Sequence, residues 1–376
     1  MRLPVKTHPH VLMTADALGG VWQYSLDLAQ GLVRRGLTVT IAVLGPAPSP
    51  AQIAAAESAS GARIQATDLA LEWLAKDPAE VRAAAEALVR LAASLKADII
   101  HLHSPAFASA HFPVPVVAVC HSCVGTWWDA VETGPLPRDL VWRRDCVAEG
   151  CTHVDTLLAP TEAFAVATQR VYGLAEPPRV VRNGRRTPAA PTQTTSPASY
   201  VFTAGRLWDR AKNAATLDQV GARIDWPLRA AGPLEGPAGE RVLAPHLDCL
   251  GRLDDAGVAA QLGARPVFLS LARYEPFGLA VLEAASAGCA LVLSDLASFR
   301  ELWEGVALFV DPSDAAGAAA AIRQLADDPA ERGRRGRAAR TRAELYGVDA
   351  MTDGVLAVFR ACWTDTPVRA LAGAAA

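Results

Sequence analysis

The run Arg273-Tyr-Glu275-Pro-Phe-Gly278-Leu-Ala-Val-Leu-Glu283 carries the sharpest chemistry in the sequence. Pro276 is pre-set for a helix start, which would leave the N–H groups of Phe277, Gly278 and Leu279 open toward the preceding loop. Such donors suit a phosphate or a sugar hydroxyl. Glu275 stands in that loop. Glu283 falls about two turns down the helix, within an apolar Leu-Ala-Val-Leu-Glu-Ala-Ala stretch where a carboxylate needs a hydrogen-bonding partner. Taken alone, the pair reads more simply as a loop residue and an exposed helix position.

A second group is Gly205-Arg206-Leu-Trp-Asp-Arg210-Ala-Lys212-Asn213, in the turn after a strand. Fixed cations there would clamp a diphosphate, and the plainer alternative is a basic surface loop. Only four of the 36 basic residues are lysine (Lys6, Lys76, Lys96, Lys212), so a lysine in this turn is a scarce group. Gly19-Gly20 follow the first strand and would admit a pyrophosphate close to backbone. The full G-x-G-x-x-G fingerprint and its acidic partner are absent, which leaves a dinucleotide site with little support. His121, in Val119-Cys-His-Ser122, ends a strand ahead of Trp127-Trp128; it is either a satisfied polar group or a group facing a ligand. His101 and His103 alternate onto one strand face and read as structural.

These groups need elements that place them at one edge. His10 to Asp16 reads as a strand, Gly19-Gly20 as a turn, Val21 to Arg35 as a helix stopped by Gly36, and Thr38 to Leu44 as the next strand. That is a βαβ unit with parallel strands and a right-handed crossover. A long helix near 78–96 and strands near 98–103, 114–120, 156–160 and 179–182 continue the alternation. After a Pro-rich polar stretch a second set begins, with strands near 200–204, 228–231, 247–250, 266–271, 290–294 and 307–310 and a helix from about Asn213. Near-continuous apolar strands of this kind belong in sheets covered on both faces. The expected fold is α/β, two doubly wound Rossmann-like domains facing across a cleft. A ligand would lie against the strand ends of both.

The chain has 376 residues, 51% of them hydrophobic and 20% charged, with a formal net charge of −3, which is globular composition without the basic surplus that nucleic acid demands. Seven cysteines form no disulfide framework. Cys120-x-x-Cys123 lacks the second pair a zinc site would need, so buried free thiols are the expectation. With no leader pattern and no apolar run of roughly 18 residues, a cytoplasmic protein is expected. The six arginines between Glu331 and Arg342 read as a solvated helix face, or as a surface for peripheral contact with the inner membrane.

Taken in order, these residues resemble the retaining glycosyltransferase family 4, whose members have the GT-B architecture. The resemblance covers most of the chain. It rests on the E-x7-E element Glu275 to Glu283 with Phe277-Gly278-Leu279, on Gly205-Arg206 with Lys212, on Asn183-Gly184 closing the first half, and on Gly19-Gly20. The strand Asp98 to His103 and the stretch from Leu302 to Asp314 add weaker similarity. The family usually places its lysine five residues after the arginine and here the interval is six, which leaves the second cation open between Lys212 and Arg210.

The resemblance implies an acceptor-side domain over 1–184, a linker over 185–199, and a nucleotide-sugar-binding domain over 200–345. A helical segment over 346–376 would pack back on the first domain. It implies transfer from a nucleotide-diphospho-sugar to a sugar-containing or lipid acceptor, with the donor as substrate and no cofactor. Arg206 and Lys212 would neutralise the leaving diphosphate. Glu275 and the amides of Phe277 to Leu279 would hold the donor sugar, with His121 also touching it. Glu283 would take the ribose hydroxyls, and the Gly20 amide would approach the diphosphate. Specificity would reside in loops, here the long stretch from Val124 to Pro137 with Trp127 and Trp128. The absence of a D-x-D motif, together with two cations in the turn, predicts metal independence. The alternatives are a sugar-nucleotide epimerase or phosphorylase of related architecture, and a non-catalytic sugar-nucleotide-binding protein.

Overall fold

The computed structural model describes residues 8–17, 19–186, 197–237 and 239–365. The chain forms two compact units, one of Met1–Gly184 with Val348–Ala376 and one of Arg185–Gly347. Of the linker expected over 185–199, residues 187–196 lie outside the described residues, as do residues 366–376 of the expected C-terminal segment.

The first unit begins with β1 (His10–Asp16), α1 (Gly20–Arg34), β2 (Thr38–Leu44), α2 (Pro50–Ser60), β3 (Arg63–Ala66), α3 (Pro78–Leu95) and β4 (Ile99–Leu102). It continues with β5 (Val116–Val119), α4 (Val124–Val131), α5 (Arg138–Cys151), β6 (Thr156–Ala159), α6 (Glu162–Tyr172) and β7 (Arg179–Val180). Its seven strands, all parallel, run in the order β3-β2-β1-β4-β5-β6-β7. Alternate residues of each strand feed opposite faces: Val11 and Met13 pack with Leu28 and Leu32 of α1, while Leu12, Ile100 and Leu102 pack with Leu88 of α3 and with Phe107.

The second unit has β8 (Val201–Ala204), α7 (Ala214–Gly221), β9 (Leu228–Ala231), β10 (Asp248–Gly251), α8 (Asp255–Gly263), β11 (Val267–Ser270) and α9 (Leu279–Ala287). β12 (Ala290–Ser294), α10 (Ala297–Trp303), β13 (Leu308–Val310), α11 (Ala315–Asp327) and α12 (Pro329–Ala343) complete it. Its six parallel strands run β10-β9-β8-β11-β12-β13. In both sheets the order reverses once, between β1 and β4 and between β8 and β11, which fixes where a ligand can meet the carboxyl ends of the strands.

Several local expectations need correction. The turn signals Ser49 and Pro50 open a helix that the sequence reading left out: the Ser49 and Gln52 side chains cap each other's backbone, and Gly61 ends it in the left-handed conformation. The stretch with Trp127 and Trp128, read as loop, is α4 over its first eight residues. The arginine-rich α12 is not simply a solvated face. Arg332 is buried over the Trp226 ring at 5.0 Å, Arg334 and Arg335 pair with Glu331, and Arg342 donates to the Leu302 carbonyl. The cysteines are all free thiols; Cys249 is exposed, and Cys123 and Cys151 are part-buried. No described helix is long and apolar enough to cross a membrane.

The last helix, α13 (Val348–Asp365), belongs to the first unit. Val355, Leu356 and Phe359 join the core that holds α1, and the Trp363 indole donates to the Asp98 carbonyl at 3.2 Å. α1 admits α13 through Gly31, where a Cβ would stand 2.0 Å from Thr352 Oγ1. Gly31→Ala should therefore lower stability by on the order of 1–3 kcal/mol, and adding Thr352→Ala should restore part of that loss. Urea unfolding of the single and double variants checks this; additive losses would mean that the two helices do not meet at these residues.

Candidate active site

In the second unit the switch point between β8 and β11 gathers most of the candidate residues. The turn after β8 carries Gly205, Arg206 and Lys212, and the loop after β11 carries Glu275. Two backbone stitches bring them together. The Arg273 amide donates to the Ala211 carbonyl at 2.8 Å, and the buried Asn213 side chain, on a residue with φ of 58°, donates to the carbonyls of Leu271 and Pro312. So held, the Lys212 ammonium forms an ion pair with the Glu275 carboxylate, both side chains being mostly buried. Ser298 of α10 donates to the Glu275 carbonyl at 2.6 Å and fixes the loop from its other side.

Gly232 makes the turn possible. It has φ of +138°, and a Cβ there would lie 1.7 Å from the Gly205 carbonyl oxygen. Arg206 does not join the Lys212 pair. Its guanidinium meets Asp209 at 3.1 Å and lies over the Trp208 ring, with the side chain 44% exposed. Asp209 in turn accepts from the Ala211 amide, so a residue outside the sequence reading sets the shape of the turn.

The start of α9 differs from expectation. The helix begins at Leu279, capped by Gly278 with φ of 90°, and its leading amides are those of Leu279, Ala280 and Val281 rather than Phe277 to Leu279. Pro276 stands outside the helix because the positive φ of Gly278 interrupts the helical path. Phe277 is a core anchor, buried against the Tyr346 ring at 6.0 Å. No side chain caps α9, and a Cβ on Gly278 would crowd Phe299 at 2.9 Å and Glu275 at 3.3 Å.

Glu283, on α9, is no exposed helix position. Its carboxylate accepts from Arg185 Nε at 2.6 Å, and the same guanidinium reaches Asp255 of α8 at 3.0 Å. The sequence reading missed Arg185 because its partners lie 98 and 70 residues away. The only local signal was an arginine directly after Asn183-Gly184.

In the first unit the switch point lies between β1 and β4. Gly19 precedes α1, and Gly20 is that helix's first residue. His101 and His103 share a strand face as expected, and their rings meet edge-on at 5.0 Å. His121 joins them 5.1 Å from His103, and Tyr24 of α1 closes the cluster 4.5 Å from His121. Ser25 donates its hydroxyl to the Val21 carbonyl, so the His103 ring must donate from Nδ1 to Ser25 Oγ at 3.0 Å, which leaves its Nε2 as a bare acceptor. That atom, both ring nitrogens of His101 and Nε2 of His121 are buried without a hydrogen-bond partner. Burial holds all three imidazoles neutral: His101 and His121 are each pulled down to about 3, and His103 lies well below its usual value, with the neighbouring rings adding to burial for His101 and His103.

Nearby, Asp16 ends β1 and Ser104 follows β4. Burial, reinforced by the Asp16 carboxylate, pushes the Glu72 carboxyl up to about 7. Trp127 and Trp128 sit on α4 with ring centroids 6.3 Å apart, and the Trp128 indole donates to the Gly134 carbonyl. Asn183 is buried at the end of the unit, with Oδ1 unpartnered. Among the described residues no group of three or more His, Cys, Asp or Glu side chains is arranged to hold a metal.

A histidine kept neutral by folding binds fewer protons than its unfolded counterpart between about pH 3 and 6.5. Stability should therefore fall as pH drops through that window, by about 1.4 kcal/mol per pH unit for each such histidine. His101→Phe keeps the edge-on packing and removes one of these groups, so its urea midpoint should decline less steeply with acid than that of the wild type. Parallel curves would mean that His101 is not held neutral.

Two family models match the chain: Glycosyltransferase Family 4 over residues 18–187 and Glycosyl transferases group 1 over residues 200–342. Glycogen synthase of Mycobacterium tuberculosis is 29% identical over 279 residues, a match that takes in 66% of this chain and 65% of that enzyme, less than two thirds of its length. Among solved structures, sucrose-phosphate synthase from Thermosynechococcus elongatus superposes with a TM-score of 0.77 at 18% identity, covering 96% of this chain and all of the other. Anabaena Alr3699/HepE in complex with UDP-glucose gives 0.72 at 18% identity, covering 94% of this chain and all of the other. With the two reversed parallel sheets, these likenesses give the chain the expected GT-B fold.

Proposed function

The chain belongs to glycosyltransferase family 4, its second half being a glycosyl transferases group 1 domain, and from that premise we propose that it transfers a sugar from a nucleotide-diphospho-sugar to a hydroxyl-bearing acceptor with retention at the anomeric carbon. The observation that carries the reading is the Lys212–Glu275 pair at the β8/β11 switch point, beside Arg206 and the uncapped start of α9. A cation, a carboxylate and open backbone amides at one strand edge match a donor that is a diphosphate at one end and a polyol at the other. That the solved likeness Alr3699/HepE was crystallised with UDP-glucose supports the same donor class.

In this reading Lys212 and Arg206 take up the negative charge that grows on the diphosphate as the anomeric C–O bond breaks. Glu275, gripped by Lys212, faces the sugar ring that turns positive, and the amides at the start of α9 hold its hydroxyls. The acceptor oxygen bonds to the anomeric carbon on the face the diphosphate leaves, and its proton passes to the departing phosphate oxygen. No protein nucleophile is required. Fixed side-chain cations do the charge neutralisation that a divalent metal performs elsewhere, so turnover should survive a chelator.

Incubation with UDP-, GDP- and ADP-sugars and a panel of glycan, polyol and lipid acceptors, in chelator, should release free nucleoside diphosphate only when an acceptor is present. The product's anomeric configuration, read by NMR, should match the donor's. Binding without release would make the protein a sugar-nucleotide binder, and an inverted product would remove the retaining assignment.

The clamp gives a separate test. Arg206→Ala and Lys212→Ala should each lower kcat/KM by about 2–4 kcal/mol of transition-state stabilisation and weaken nucleoside diphosphate binding. Arg210→Ala should change both far less, because it is Lys212 that the stitched turn directs at Glu275. A larger loss at Arg210 than at Lys212 would reverse that assignment.

A further inference from the structure

We propose that Arg185 is the positioning residue for the Glu283 carboxylate, and that through it the nucleotide site tells a ribose from a deoxyribose. The inference rests on the proposed function, and on the role that the family resemblance implies for Glu283 within it, receiving the ribose hydroxyls of the donor.

Glu283 projects from a helix whose neighbouring positions are core: Val281, Leu282, Ala284 and Ala285 are all buried. A glutamate side chain has three rotatable bonds and loses substantial entropy when it is fixed. A carboxylate that must accept from two adjacent hydroxyls gains only if its plane is already set. Arg185 sets that plane from outside α9: its side chain is 6% exposed, its Nε donates to Glu283 Oε1 at 2.6 Å, and its terminal nitrogen donates to Asp255 Oδ2 at 3.0 Å.

The guanidinium is held as firmly as it holds. Its backbone amide donates to the Tyr346 carbonyl at 3.3 Å. The Tyr346 ring packs edge-on against Phe277 and Trp303, and its hydroxyl donates to the Leu302 carbonyl. Arg185 thus joins α8, α9 and the turn before Gly347, and its planar fork dictates the orientation of the carboxylate between them. An ammonium would supply the charge without that geometry.

The test is calorimetric binding of UDP, GDP and ADP and of their 2′-deoxy counterparts to the full chain, free of any turnover requirement. The wild type should bind the ribose form about 10–100-fold more tightly, the contribution of a hydrogen bond to a charged group. Glu283→Gln should shrink that ratio. Arg185→Met should shrink it as far with Glu283 intact, and Arg185→Lys should give an intermediate ratio while keeping the charge and guarding against a folding failure. A purely structural Arg185 would lower the melting temperature of both variants and leave the ratio at its wild-type value, which would overturn the inference. Equal wild-type affinity for the two sugars would overturn it too, by removing Glu283 from the ribose while leaving nucleotide binding in place. Failure of the wild type to bind any of the three diphosphates would instead bring down the proposed function on which it rests.

Discussion

The Lys212–Glu275 ion pair organises the second unit's candidate site, and it depends on a constraint of topology. Where strand order reverses, the connections leaving β8 and β11 depart to opposite sides, so the space beyond those two strand ends stays open. Open space alone would leave a lysine and a glutamate in solvent, where pairing contributes little. Here the two loops are also stitched through Ala211, Leu271 and Asn213, which fixes both backbones before the side chains meet. The pair is then mostly shielded from water, and its charges act in a medium where they are worth more to a ligand.

The central strands, such as β1, β4, β5 and β12, were legible because each is a short apolar run buried on both faces, a pattern that few other segments imitate. β3 and α2 escaped for the same reason in reverse. Among the eleven residues of α2 only Ala56 and Ser60 are buried, so its sequence shows no apolar stripe, and only its Ser49-Pro50 start carried a signal. The start of α9 was misplaced because proline's fixed φ suits a first helical turn and a pre-helical loop alike. What decided between them was the positive φ of Gly278, a conformation glycine adopts freely at a position where a Cβ would also meet Phe299 and Glu275. Trp127 and Trp128 were read into a loop because the prolines and glycine that follow dominated a stretch whose first eight residues are helical.

The first unit reaches a different electrostatic solution at the corresponding strand edge. Spacing alone put His101 and His103 on one face, but the arrival of His121 and Tyr24 requires the neighbour relation of β4 and β5 and the return of α1 over them. Three imidazoles in edge contact cannot share a charge cheaply, and no carboxylate enters as a cause of their shifts. They remain neutral, with ring nitrogens of all three buried and without a hydrogen-bond partner. The second unit places opposite charges together, and the first keeps ionisable groups uncharged.

Arginine content shows how far residue counting carries. Arg334 and Arg335 of α12 pair with Glu331, three and four residues away, contacts any helical wheel supplies and that stabilise by a few tenths of a kcal/mol. Those pairs were visible as a charged run and decide little. Arg185 stood outside that run, as the first residue of the stretch that read as linker, and its acidic partners belong to two helices far along the chain. Burial separates the cases. A guanidinium taken out of water must be matched by groups that satisfy it, and breaking one partner of such a set is far more damaging than losing a surface pair. The arginine that sets the geometry of the site is therefore the one whose context the sequence conceals, because satisfying a buried charge at a sheet edge draws on elements that only the folded topology brings together.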